Sequence, residues 1–100
     1  MSFSNIQSVT KTADASAVVG RTRVVGVYFT CTNTAASFVL KDGTTSAGTG
    51  KMTVTTPAAA GAYDIIIPDM GILFESGVYI DVSSAEVTSV TLLFEGGAAA

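Results

Sequence analysis

The chain has 100 residues, room for one domain with its own core, near the size at which self-association often supplies part of the stability. It is 48% hydrophobic and only 13% charged, so little charge repulsion opposes association. The net charge of −3, with no run among Lys11, Arg21, Arg23, Lys41 and Lys51, argues against a nucleic-acid binder, which must neutralise phosphates.

From the N-terminus, "MSFSNIQSVTKTADAS" shows no alternation and reads as an arm over residues 1–16. It also lacks the charged and apolar regions of a signal peptide, and no apolar run reaches the roughly 20 residues of a membrane-spanning helix. The expectation is a soluble protein made in a cytoplasm, with no membrane partner.

A β domain is expected over residues 17–96. In "RTRVVGVYFTCTN" one parity carries Val25, Val27, Phe29 and Cys31, and the other Thr22, Tyr28, Thr30 and Thr32, the period of a half-buried strand. The alternation returns in "SFVLKD", "KMTVTT", "YDIIIP", "VYIDVS" and "SVTLLFE". "GILFE" and part of "SAVVGRT" add a seventh and an eighth strand. Turn signals such as "NTAAS", "PAAAG", "PDMG" and "SSAE" separate them at the short spacing of a sandwich or barrel. The expected fold is all-β, an antiparallel β-sandwich of seven or eight short strands, followed by a flexible end at residues 97–100.

From the end of "SFVLKD" to the start of "KMTVTT" runs "DGTTSAGTGKM", close to the phosphate-cradling pattern Gly-x-x-x-x-Gly-Lys-Ser/Thr. That loop needs a helix after it, whose first amides meet the anion. Here a strand pattern follows, Thr45 stands where the first Gly should be, and Met52 where the hydroxyl should be. The segment reads as a long, exposed hairpin loop. The closely spaced Asp ladder of a calcium loop is missing from it as well.

The chain has no His, which removes the Ser-His-Asp and Cys-His arrangements and the commonest transition-metal ligand. Cys31 is the only cysteine, so neither an intrachain disulfide nor a Cys-based zinc site can form, and it reads as a buried thiol. The carboxylates Asp42, Asp64, Asp69, Glu75, Asp81, Glu86 and Glu95 fall on separate segments. No catalytic residue, cofactor or metal site is expected, and the chain reads as a non-enzyme.

The pieces "VLKDG", "TTPAAAG", "IPDMGILFESGVYI" and "SVTLLFEG", within Arg21 to Gly96, resemble a group of small structural proteins from the particles of tailed bacteriophages. The resemblance implies a short jelly-roll-like fold on the virion, decorating or cementing the head shell. Its implied partners are the major capsid protein or another virion protein and copies of itself, as a homotrimer. No catalytic residue comes with it. The alternative is a ligand- or receptor-binding β-domain on a tail or fibre.

Some strands are apolar on both parities, and such strands are usually covered on both faces. Val39 stands between Phe38 and Leu40, Ile66 between Ile65 and Ile67, Tyr79 between Val78 and Ile80, and Leu93 between Leu92 and Phe94. These four are the candidate interface residues.

Overall fold

A computed structural model describes residues 5–82 and 84–100. Among them are eight strands and no helix: β1 (Gln7–Lys11), β2 (Ala15–Cys31), β3 (Ser37–Asp42), β4 (Thr49–Thr55), β5 (Gly61–Ile66), β6 (Ile72–Phe74), β7 (Gly77–Asp81) and β8 (Val87–Ala99). All pairings are antiparallel, and hydrogen bonds join the strands in one continuous sheet of order β1-β8-β2-β7-β3-β4. Strands β5 and β6 pair with β2 as well. The antiparallel all-β expectation therefore holds, with eight strands. What differs from two separate sheets is that β2, 17 residues long, takes three partners in succession along one edge: β7, then β6, then β5.

This sheet folds back on itself. Phe29 near the end of β2 meets Phe38 of β3 edge-on, with ring centroids 5.5 Å apart, although β3 joins β2 only through β7 at its far end. Contact between the two parts requires β2 to turn a corner, and the register between β2 and β8 shifts between Val19 and Thr22. Gly20 sits there with φ of 93°, and Gly97 on β8 with φ of 62°. A Cβ at Gly97 would lie 2.4 Å from Thr22 Oγ1 and 2.6 Å from Val18 Cγ1. Only glycine allows both the left-handed backbone and that close approach.

The core lies between the folded parts. Val18, Val24, Val27, Phe74, Val90, Leu92 and Phe94 come from the corner and the β2-β8 part, and Phe38, Leu40, Val78 and Ile80 from the wing of β7, β3 and β4. Tyr63 of β5 stacks on Phe29 at 5.6 Å, and its hydroxyl donates to the Ala59 carbonyl. Thr56, also buried, closes the base of the β3-β4 hairpin: its hydroxyl accepts from the Ala36 amide and donates to the Ala36 carbonyl.

Three sequence expectations need correction. Val25 does not share the inward face of Val27, Phe29 and Cys31; the register slips between Val24 and Gly26, so Val24 and Thr22 are buried while Val25 is half-exposed. A bulge adds one residue and exchanges the faces on either side of it. The segment read as an arm, residues 1–16, contains β1, which pairs along β8, and the start of β2; residues 1–4 lie outside those described. The segment read as a flexible end, residues 97–100, continues β8, with Ala98 and Ala99 paired to Val19 and Val18 and the Ala100 amide bonded to the Ala17 carbonyl. Backbone hydrogen bonds hold it, and Gly and Ala side chains leave no alternation to read.

Candidate interaction surface

Paired residues of an antiparallel ladder share a face, so the registers assemble each surface row by row. On the outer face of the β1-β8-β2-β5 part, the middle row is Ser8, Leu93, Gly26 and Ile66. A Cβ at Gly26 would lie 3.2 Å from Leu93 Cδ1, so the missing side chain leaves a hollow into which Leu93 leans. That contact half-buries Leu93, whereas Ile66 beyond the hollow is 71% exposed.

Two β8 residues to one side lies the row Thr10, Thr91, Tyr28 and Asp64. The Thr10 and Thr91 hydroxyls share a hydrogen bond of 2.7 Å, and the Tyr28 ring is 44% exposed. In the following row Thr30 shares a hydrogen bond of 2.6 Å with Ser89. Two β8 residues to the other side lies the row Glu95, Arg23 and Leu73. Arg21 joins it at the rim of a groove of about 310 Å³ lined also by Thr22 and Gly96. The face thus runs from an arginine pair, across an apolar row, to a tyrosine with a carboxylate at its side.

The four candidate residues divide between two faces. Ile66 and Leu93 flank Gly26 in the row just described. Val39 and Tyr79 lie on the outer face of the wing, where Val39 pairs with Asp81 and Tyr79 with Lys41. Lys41 and Asp81 form an ion pair of 2.7 Å between them, so that pair of residues does not make a continuous apolar patch. Both side chains are half-buried.

Residues 43–48 form the hairpin loop between β3 and β4, and the lysine of the phosphate-loop pattern, Lys51, lies in β4. A strand, with no free helix end, follows the glycines. Asp42 is occupied by its own fold, accepting hydrogen bonds from the Glu75 and Ser76 amides at 3.0 and 2.9 Å. The Ser76 amide above all holds its carboxyl below the usual range, against the opposing effect of partial burial. Lys41 Nζ donates to the Ser46 carbonyl and steadies the loop.

Cys31 is buried on the inner face, its thiol directed to the Ala59 carbonyl. Among the described residues, no three His, Cys, Asp or Glu side chains converge as a metal site would require. A second cleft, of about 420 Å³, lies at the β1-β2 and β7-β8 turns, and its described lining residues, Thr12, Ser84 and Thr88 among them, carry no ionisable group.

Sequence reasoning did not find Tyr28, Arg23 and Asp64 as members of one surface. Alternation assigns a residue to a face but not to its neighbours across strands, which the register alone supplies. The chain matches no family model, and no curated protein or solved structure matches it.

Proposed function

We propose that this chain is a non-enzymatic structural protein of a tailed-bacteriophage particle, one that decorates or cements the capsid shell by contact rather than by chemistry. The resemblance of "VLKDG", "TTPAAAG", "IPDMGILFESGVYI" and "SVTLLFEG" suggests the particle. The observation that carries a contact role is the outer row Leu93, Gly26 and Ile66, in which a large aliphatic side chain stands 71% exposed beside the exposed Tyr28. Exposed apolar clusters of this kind are commonly interaction sites. The partners in this reading are further copies of the chain and the major capsid protein or another virion protein, and its place is the virion, after synthesis in the host cytoplasm.

A receptor-binding domain on a tail or fibre is the second reading. It is favoured by Tyr28 lying in one row with Asp64 and the Thr91 hydroxyl, groups that suit a sugar. Cryo-electron microscopy of particles carrying a tagged copy separates the two. Density over the capsid shell is the expected result; density at a tail tip selects the second reading, and absence from the particle overturns both.

A further inference from the structure

Two rows of the outer face stand at equal distances from the Leu93 row. On β8, Thr91 and Glu95 are each two residues from Leu93, about 7 Å at the usual strand rise. On β2 the corresponding residues are Tyr28 and Arg23, because the bulge at Val25 supplies the extra residue on the Arg23 side. On the neighbouring edge they are Asp64 and Leu73. The face is therefore arranged evenly about the line Leu93, Gly26, Ile66, with Glu95 standing where Thr91 does on the other side, Arg23 where Tyr28 does and Leu73 where Asp64 does.

We propose that this face pairs with the same face of a second copy about a two-fold axis lying along the Leu93, Gly26, Ile66 row. Such a rotation reverses the strand direction and lays each row on its counterpart. Arg23 of one copy then covers the Tyr28 ring of the other, with the Asp64 carboxylate beside it, and the same contact forms again by symmetry. The Glu95 carboxylate meets the Thr91 hydroxyl. Leu93 and Ile66 of both copies close over the axis, which removes from water the most exposed aliphatic side chain of this face. Charge selects a second copy over an unrelated partner. In a chain of net charge −3, Arg21 and Arg23 outnumber Glu95 at one end of the face and leave it positive, while the other end carries Asp64.

The pairing deepens the contact reading above, and it replaces the three-fold arrangement implied by the resemblance with a two-fold one. Its test is independent of the particle: light scattering of the full chain at micromolar concentration, for the wild type, Arg23→Asp, Asp64→Arg and the double variant. The wild type is expected at twice 10.1 kDa. Each single variant sets like charges side by side at both symmetry-related contacts and should weaken the dimer by about tenfold or more. The double variant restores opposite charges and should return to within about threefold of the wild type. Both residues lie on a sheet face, and a circular dichroism melt checks that each variant remains folded. A wild-type monomer or trimer, single variants without effect, or a double variant no stronger than the singles would each overturn the pairing. None of these results bears on whether the protein is found in a phage particle.

Discussion

The Asp42 carboxylate at the end of β3 accepts a hydrogen bond of 2.9 Å from the Ser76 amide, 34 residues further along, and so fastens the β6-β7 turn to the wing. The Glu75 amide adds a second bond to the other carboxylate oxygen. Replacing Asp42 by Ala leaves both amides without this acceptor and should lower stability by about 1–2 kcal/mol, read from urea unfolding. The effect depends on pH. Because the folded-state pKa is depressed below the ordinary carboxylate value near 4, the contribution is complete above that value and disappears as pH falls through the folded pKa. Asp42→Asn should therefore flatten the acid limb of a stability-against-pH curve; an unchanged limb would show that the carboxylate is not the group responsible.

Gly97 and Gly20 both have positive φ but differ in the space around them. A Cβ at Gly20 would have its nearest neighbour at 3.8 Å, so Gly20→Ala carries only the backbone strain, about 1–2 kcal/mol. Gly97→Ala adds collisions with Thr22 and Val18 and should cost roughly 1–3 kcal/mol more. Equal melting temperatures for the two variants would contradict the corner described here.

The bulge at Val25 can be tested with two adjacent truncations. Val24 is fully buried, and Val24→Ala should cost about 2 kcal/mol for the methyl groups and the cavity they leave. Val25 is half-exposed, and Val25→Ala should cost less than half of that. The reverse order, which uninterrupted alternation through Val25, Val27 and Phe29 would give, would place the bulge elsewhere.

Cys31 is only 6% exposed. Reaction with a water-soluble thiol reagent is expected to be slow in buffer and to rise with urea in step with unfolding, since the thiol is reached only when the strand opens. Complete labelling within the mixing time under native conditions would refute its burial.

Period-two alternation identified the strands, because one buried and one wet face impose it locally on every half-covered strand. "SFVLKD", "KMTVTT" and "SVTLLFE" show it plainly; the first and last lie in strands and the second runs one residue past β4, and in each the buried residues are the alternating ones. The hairpin reading of "DGTTSAGTG" came from the same signal in the strand that follows it.

The sequence by itself thus determined that this is an antiparallel all-β chain, with inward residues such as Phe38, Leu40, Leu92 and Phe94. Tertiary structure alone decided where β2 turns its corner, where the bulge exchanges Val25 for Val24, and that residues 97–99 continue β8. It also decided that Leu93 shares a row with Ile66, whereas Val39 and Tyr79 lie on the wing with Lys41 and Asp81 between them. The physical reason is range. Burial of alternate side chains is written into neighbouring residues, but corners and registers are set by backbone hydrogen bonds and close approaches between segments far apart in the chain, such as Gly97 against Val18 and Thr22.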